Sequence, residues 1–324
     1  MQKSSYPRLL GDVGGTNARF AWQEKPGAAL SHVGSWLCVE HDSLLDAIHH
    51  HLRVHVLPAP AACGIGIANP VAGDQVRMTN HHWSFSIADL QSRLGVQKLV
   101  VINDFTAIAL SLPDLSPLQL RRIGGGQADP GAPLAVLGPG TGLGVSGLLP
   151  TPSGPLAALN GEGGHVTLPA QDADEATLIE VLRQRFGHAS AERALSGPGL
   201  VNLYEAVATI AGDMVRTLTP SEVIERARRD DVACRTALSH FCALLGAVAG
   251  NLALTLGARG GVYVAGGIAP RIFDELESSL FRQRFEGKGR FSDYLSRIPT
   301  YVISSDVSPA LVGASRAIDV DSRA

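Results

Sequence analysis

The sequence has no strong excess of charge of either sign, and this excludes several classes of protein. Its 324 residues include 27 basic and 30 acidic side chains, for a formal net charge of -3. Without a basic excess or a long run of like charges, the composition indicates neither a nucleic-acid partner nor a charged tail. Hydrophobic residues make up 45% and charged residues 18%, which is typical of a soluble globular protein.

Long uninterrupted apolar runs are also missing, because the longest apolar stretches contain Gly, Asn or His. We therefore expect no membrane-spanning segment. Residues 1–8, MQKSSYPR, lead into a strand and not into the apolar core of a signal peptide, so a cytoplasmic location is expected. The chain is long for one hydrophobic core, which favours two domains.

Cysteine is scarce, and two common nucleotide-binding motifs are missing. The four cysteines, Cys38, Cys63, Cys234 and Cys242, form no CxxC pair, so buried free thiols are predicted in preference to disulfides. No GxxxxGK[ST] occurs anywhere, which excludes a P-loop. The glycines at 140, 142 and 144 do not match GxGxxG, and a strand is predicted to follow them.

Histidine is concentrated on one predicted helix, over residues 42–53, where Asp42 and Ser43 are candidate caps. His51 and His55 lie four residues apart and could bind a metal, but no carboxylate or cysteine nearby completes a ligand set. A solvated helix face is therefore the favoured interpretation of these histidines.

Residues 9–20, LLGDVGGTNARF, predict a strand, a tight turn and a second strand. Gly14 and Gly15 allow positive φ values and a close approach of the backbone to a ligand. The backbone N–H groups of such a turn can cradle an anion, the Thr16 hydroxyl adds a donor, and Asp12 could hold a hydrated divalent metal. Two interpretations stay open here: a site for a polyphosphate with Mg²⁺, and a hairpin turn with a surface aspartate.

A second glycine-rich turn resembles the first in kind. Residues 134–137 and 145–149 are predicted strands, and GPGTGLG lies between them. The arrangement of apolar strand, glycine-rich turn with a threonine, and second strand is a weak internal repeat.

A polar pair follows the buried strand predicted at residues 99–102. Asn103 and Asp104 stand at its carboxyl end, where open α/β sheets bind ligands. Asp104 could instead be the N-cap of the helix predicted over 105–112. These residues alone leave both interpretations open.

Apolar periodicity and turn residues predict the remaining elements. A linker or domain edge is expected over the Pro- and Gly-rich residues 113–133, and an extended segment over 76–85. Further strands are predicted at 61–68, 260–264 and 301–303, and further helices at 87–94, 172–186, 200–210, 220–229, 231–256 and 309–318.

Six motifs, taken in order and spacing, carry a resemblance to a known family. They are GDVGGTNARF, INDFTA, GPGTGLG, GEGGH, AERALSGPGLVNLY and GGVYVAGGIAPR. Together they resemble the bacterial glucokinase family of the hexokinase–actin superfamily, and the resemblance covers nearly the whole chain.

The resemblance implies an α/β fold of the two-domain actin-like ATPase (ribonuclease H-like) type with an inter-domain cleft. Residues 1–112 plus 304–324 would form the small domain and residues 113–303 the large one. Each domain would carry a phosphate-facing turn, which accounts for the internal repeat. A homodimer is expected from the family alone.

The resemblance also implies the site. The first phosphate loop would comprise Gly11, Asp12, Val13, Gly14, Gly15 and Thr16, the second Gly140, Thr141 and Gly142, and the adenosine would lie near Gly266 and Gly267. Sugar-contacting positions would be Asn103, Asp104, Glu162, His165 and Glu192. Their carboxylates, amide and imidazole would supply both the donors and the acceptors that sugar hydroxyls need.

The implied reaction is in-line transfer of the γ-phosphoryl group of ATP to the 6-hydroxyl of glucose. Asp104 would accept the hydroxyl proton, while Mg²⁺ and backbone amides would balance the phosphate charge, with Asp12 holding metal-bound water. Actin-like and chaperone ATPases, or a regulator of sugar-kinase ancestry, share the fold and stay as alternatives. The combination of Asp104 with Glu162 and His165 argues for an acceptor sugar.

Overall fold

The computed structural model describes residues 5–151, 154 and 156–321 of the chain. Thirteen β-strands lie within those residues. They are β1 (Arg8–Val13), β2 (Asn17–Gln23), β3 (Ser31–Leu37), β4 (Ala62–Ile67), β5 (Gln75–Arg77), β6 (Ser84–Ser86), β7 (Lys98–Asn103), β8 (Leu120–Ile123), β9 (Leu134–Pro139), β10 (Leu143–Leu149), β11 (Ala157–Ala158), β12 (Val262–Val264) and β13 (Thr300–Ile303).

The same described ranges contain eleven α-helices. They are α1 (Leu44–Val54), α2 (Ile87–Leu94), α3 (Asp104–Ser111), α4 (Ala173–Phe186), α5 (Gly197–Ala211), α6 (Pro220–Arg228), α7 (Val232–Leu256), α8 (Phe273–Ser278), α9 (Phe281–Glu286), α10 (Ser292–Ser296) and α11 (Pro309–Asp321).

The chain forms two compact units. The first unit comprises Met1–Ser116, Pro150–Gly161 and Ser305–Ala324, and the second comprises Pro117–Leu149 and Glu162–Ser304. The domain boundaries expected from the resemblance, at 112 and 304, stay a prediction.

The sheet of the first unit has the strand order β3-β2-β1-β4-β7. Strand β1 is antiparallel to β2 and parallel to β4, and β4 is parallel to β7. In this register Val13 lies beside Ile67, and Ile67 lies beside Asn103. The three parallel strands therefore end together, and the segments that follow them emerge at one edge of the sheet.

The two faces of this sheet are covered by different elements. One apolar cluster includes Phe20, Trp22 and Ile65, while helix α11 packs on a second cluster with Leu10 and Ala62. The buried Arg8 side chain ties β1 to α11, because its guanidinium donates to the carboxylate of Asp319 at 2.5 Å and to the Ser315 hydroxyl at 2.9 Å.

In the second unit, the sheet strands run in the order β10-β9-β12-β13-β8. Strands β9, β12 and β13 are parallel, whereas β10 and β8 are antiparallel to their neighbours. Residues 113–133 were expected to be a linker or domain edge, and strand β8 lies within them. Its sequence, LRRI, places the exposed Arg121 and Arg122 side by side at the edge of the sheet, so it shows no clear apolar alternation.

Helix α7 is the core helix of the second unit. By length and composition it could cross a membrane, yet 72% of its most apolar window is buried inside the protein. Burial of this kind is typical of the central helix of a globular domain. Packing inside the protein therefore accounts for the apolar sequence of α7.

The segment at 76–85, expected to be one extended stretch, is a hairpin. Strands β5 and β6 pair antiparallel, with Val76 opposite Phe85, and the backbone N–H of Met78 donates to the carbonyl of Trp83 at 3.0 Å. Apolar residues alternate on both arms, at Val76 and Met78 and at Trp83 and Phe85, but the polar turn between them, TNHH, contains neither glycine nor proline, so no turn was predicted.

The solvated-face interpretation of the histidines is wrong for His51, which is fully buried. Its ring packs against Phe20, and its Nδ1 accepts a hydrogen bond from the Trp36 indole at 3.2 Å. Burial, with smaller effects of neighbouring histidines, lowers the pKa of His51 to about 4. The prediction of four buried free thiols is confirmed.

Candidate functional site

The first glycine turn joins β1 to β2 at the edge where the parallel strands end. The backbone N–H of Gly14 donates to the carbonyl of Asn17 at 2.9 Å, which closes the turn. Neither Gly14 nor Gly15 adopts a positive φ, so the turn does not use the left-handed conformation that these glycines allow. Gly15 is required by crowding instead, because a Cβ there would lie 2.8 Å from the Cβ of Asn80.

Cys38 supports the same turn from beneath. Its backbone N–H donates to the carbonyl of Thr16 at 2.9 Å, and its Sγ donates to the carbonyl of Gly14 at 3.4 Å. Burial raises the pKa of the Cys38 thiol, which keeps it protonated and able to donate. From the sequence, Cys38 was predicted only to be a buried thiol. No residue near it in sequence indicates contact with the turn.

Asp12 lies opposite Arg19 across the β1–β2 pair, and its Oδ2 is 3.2 Å from an Arg19 guanidinium nitrogen. The carboxylate is 13% exposed. Among the described residues, no group of three or more His, Cys, Asp or Glu side chains is arranged to hold a metal. Asp12 is thus a single carboxylate beside the turn.

Asn103 and Asp104 begin helix α3 at the same edge. Asn103 is the N-cap, because its Oδ1 accepts from the backbone N–H groups of Phe105 at 2.9 Å and Thr106 at 3.2 Å. The alternative in which Asp104 caps the helix is therefore wrong. Asp104 is the first helical residue, and its Oδ1 also accepts from Phe105 N–H at 2.9 Å. The positive end of the helix dipole favours an ionised carboxylate there.

Besides Asp12, two predicted phosphate-loop residues, Gly11 and Val13, lie within β1 itself. Gly11 is buried, and a Cβ there would lie 3.2 Å from the Phe20 ring and 3.3 Å from the Ile65 side chain. Val13 is also fully buried in the core. Gly11 is thus needed for strand packing, and the nucleotide contacts implied for both residues stay a prediction.

The second glycine turn, between β9 and β10, belongs to the second unit. The Gly140 N–H donates to the carbonyl of Gly142 at 2.8 Å. The Glu192 carboxylate accepts from the backbone N–H of Leu143 at 2.8 Å, and a Cβ on Gly142 would collide with its Oε2. A further bond joins Gly197 N–H to the carbonyl of Gly140 at 2.8 Å. The segment around Glu192 therefore braces this turn at both ends.

Glu162 and His165 flank one short turn that packs on β10. The His165 N–H donates to the carbonyl of Glu162 at 3.0 Å, and both residues are exposed. A Cβ on Gly163 would lie 2.8 Å from the Val145 side chain, and one on Gly164 would collide with the backbone of β10. The two glycines let this turn lie directly on the strand and present both side chains beside it.

The glycine pair after β12 completes the set in the second unit. Gly266 has a φ of +82°, and a Cβ there would collide with the carbonyl of Pro139 at the end of β9. Gly267 is exposed, with no atom within 4 Å of a Cβ built there. Gly266 therefore lets the loop approach the second turn, while Gly267 leaves open space.

The structure gathers the predicted residues into two groups, one in each unit. In the first unit Asp12, Gly14, Gly15, Thr16, Asn103 and Asp104 lie at or near one sheet edge. In the second, Gly140, Thr141, Gly142, Glu162, His165, Glu192, Gly266 and Gly267 surround the β9–β10 turn. Sequence reasoning missed Asn69, Thr79 and Asn80, whose contacts with the first group come from tertiary structure.

Comparisons with known proteins agree on one family. The glucokinase family model matches residues 9–320. The chain is 54% identical over 317 residues to a glucokinase of Aromatoleum aromaticum, covering 97% of this chain and 95% of the relative. It is 47% identical over 316 residues to a glucokinase of Neisseria gonorrhoeae, with coverage of 97% and 95%.

Solved structures give the same result at the level of the fold. A glucokinase from an Antarctic psychrotroph is 35% identical with a TM-score of 0.88, covering 98% of this chain and 100% of that one. A glucokinase from Balamuthia mandrillaris, solved in complex with glucose, is 22% identical with a TM-score of 0.77, covering 98% and 95%.

Proposed function

The chain belongs to the glucokinase family, and on this premise we propose which residues carry its reaction. It is an ATP-dependent hexose kinase with the actin-like ATPase fold of sugar kinases. It transfers the γ-phosphoryl group of ATP to the 6-hydroxyl of glucose, giving glucose 6-phosphate and ADP, in the first step of glycolysis.

Asp104 is assigned as the general base that accepts the proton of the sugar 6-hydroxyl. The position of Asp104 carries this assignment, because it is the first residue of α3, directly after the capping residue Asn103, at the edge where the parallel strands end. Strand β7, which pairs in parallel with β4, ends at Asn103, directly before Asp104, and this pairing holds the backbone in place. Firm placement is what a general base needs, since reach to the proton comes before pKa.

Asp104→Asn tests this role, because the amide keeps the size of the side chain but cannot accept the proton as a carboxylate does. We expect a folded protein with retained glucose binding and kcat lowered by roughly 10² to 10⁴. The measurements are kcat, the dissociation constant for glucose and the melting temperature. A stable variant that phosphorylates glucose within about threefold of wild type would refute the assignment.

Sugar recognition is assigned to Asn103, Glu162, His165 and Glu192, in addition to Asp104. Glu162 and His165 support this role by being exposed together on one rigid turn. Glu192 already accepts from the backbone through one oxygen, so its other oxygen is the one proposed to accept from a sugar hydroxyl. Sites that hydrogen-bond a hydroxyl discriminate against analogues that leave buried polar groups unpaired, which favours glucose over its epimers.

Nucleotide phosphates are assigned to the two glycine turns. Gly14 and Gly140 support this role, because a Cβ at Gly14 would have no neighbour nearer than 3.6 Å and one at Gly140 none within 4 Å. Mg²⁺ is usually held by one or two carboxylates together with substrate phosphates and water, and a single Asp12 fits that donor set. When bound, the ion would supply charge neutralisation at the phosphates, and Asp12 would hold it through water.

Release of ADP with and without glucose separates this function from that of a sugar-independent ATPase. We also propose a homodimer, which only the family supports, and a cytoplasmic location, which stays a prediction from the sequence. Analytical sedimentation at micromolar concentration measures the first, and a monomer there would remove that proposal without affecting the enzymatic one. The absence of nucleic-acid and membrane partners stays a prediction from composition.

A further inference from the structure

Asn69 occupies a junction just beyond the end of β4 and is 9% exposed. Its Oδ1 accepts two hydrogen bonds from Thr79, from the backbone N–H at 3.0 Å and from the hydroxyl at 2.7 Å. Its Nδ2 donates to the carbonyl of Pro70 at 2.9 Å. Both ends of this amide are therefore engaged, and its orientation is set.

The backbone around Asn69 reaches the neighbouring strands at the same sheet edge. The N–H of Ala68 donates to the carbonyl of Val13 at 2.9 Å, directly before the first glycine turn. The carbonyl of Asn69 accepts from the Nδ2 of Asn103 at 3.5 Å. Asn69 thus contacts Asn103, the N-cap of α3, and Ala68 contacts Val13, the last residue of β1.

The hydroxyl that Asn69 holds belongs to the loop of the β5–β6 hairpin. Thr79 begins this loop, and the next residue, Asn80, lies against Gly15 of the first glycine turn. The contact leaves no room for a side chain on Gly15. A continuous series of contacts therefore runs from Asn69 through the hairpin loop to the glycine turn.

We propose that Asn69 and Thr79 are positioning residues for phosphoryl transfer, which hold the hairpin loop against the first glycine turn and align that turn with the start of α3. This inference rests on the proposed roles of the turn and of Asp104. Small misplacements of groups around a reacting centre reduce rate strongly even when folding is unaffected. A displacement of the turn, caused by a change at Thr79, should therefore alter the rate constants.

Thr79→Val is the direct test, because it removes the hydroxyl at nearly constant volume and leaves the backbone bond to Asn69 in place. We expect kcat to fall about tenfold and KM for ATP to rise, while the dissociation constant for glucose without nucleotide stays within about twofold. Thr79→Ser keeps the hydroxyl and should restore both kinetic parameters to within about twofold of wild type.

Thr177→Val is the matched control, because the Thr177 hydroxyl donates to the carbonyl of Ala173 on the exposed face of α4 in the second unit. It should leave all kinetic parameters unchanged. A lower melting temperature for Thr79→Val with unchanged kcat and KM would show a structural role only and overturn the inference.

A second pair of variants keeps the test independent of Thr79. Asn69→Asp retains an acceptor for the Thr79 hydroxyl, and Asn69→Leu retains none, so the aspartate variant should keep the higher kcat. Equal kcat values in folded Asn69→Asp and Asn69→Leu would contradict the inference. If Asp104→Asn is inactive while Thr79→Val matches wild type, the inference fails alone; if Asp104→Asn is active, the proposed function of that site fails.

Discussion

The two glycine turns share a strand–turn–strand plan but are built against different neighbours. At Gly15 the first turn lies against the Cβ and carbonyl of Asn80, at 2.8 and 3.0 Å from a Cβ placed there. At Gly142 the second turn lies against the carboxylate of Glu192, which also accepts from the Leu143 N–H. One turn is thus crowded by main chain and the other by the end of a flexible, charged side chain.

This difference separates stability from function. An atom near the main chain cannot move without shifting its loop, so crowding at Gly15 is costly to relieve. A carboxylate can rotate away, but it then loses a charge-assisted hydrogen bond and leaves the position in which it is proposed to contact the sugar. Substitutions at the two glycines should therefore have opposite signatures.

Gly142→Ala should produce the larger loss of activity. The new Cβ displaces the Glu192 carboxylate. Loss of the proposed hydrogen bond between this carboxylate and a sugar hydroxyl should lower kcat/KM for glucose about 10- to 100-fold. The melting temperature should fall by only a few degrees, because the Glu192 carboxylate loses its bond to the Leu143 N–H but no main chain has to move. Steady-state kinetics and thermal unfolding measure both.

Gly140→Ala is the control for the second turn, because a Cβ there has no protein neighbour within 4 Å and Gly140 has no positive φ. Its stability should match wild type, and any change should fall on KM for ATP. If Gly142→Ala keeps wild-type kcat/KM for glucose, the proposed role of Glu192 at this turn is wrong.

Gly15→Ala should show the smaller kinetic effect at saturating ATP and the larger structural one. Overpacking against Asn80 is expected to lower the free energy of unfolding by roughly 1–3 kcal/mol. Denaturant unfolding measures this change, and KM for ATP reports the displaced turn.

Gly14→Ala is the matched control, since the nearest atom to its Cβ would be 3.6 Å away. A Gly15→Ala variant as stable as Gly14→Ala would show that the hairpin loop yields easily. The contrast between the two turns would then disappear.

Local sequence signals predicted a helix well where a capping residue and a glycine mark its ends. Helix α2 begins after Ser86, which caps it through its hydroxyl, and ends at Gly95, whose φ is +65°, as the sequence pattern indicated. Strand β8 was missed because two exposed arginines interrupt its apolar residues. The β5–β6 hairpin was missed because its turn, TNHH, contains neither glycine nor proline.

The candidate site was predictable to a different depth in each of its parts. The motifs singled out Asp104 and Glu192 as candidates. They did not decide whether Asp104 binds a ligand or caps helix α3. Tertiary structure decided for Asn103, because a cap depends on which side chain turns back onto the helix amides. The contact of Cys38 with the first turn could not be predicted for a similar reason. Cys38 reaches the turn through the pairing of β2 with β3.

The sequence by itself determined most of the longer helices and strands and the six motifs that identify the family. These depend on propensities and residue types that act within a few positions of one another. Only the tertiary structure decided why Gly15 and Gly142 must be glycine, and why His51 is buried and not solvated. In each case the deciding neighbour, whether Asn80, Glu192 or Trp36, is distant along the chain and arrives through packing, so no local pattern encodes the contact.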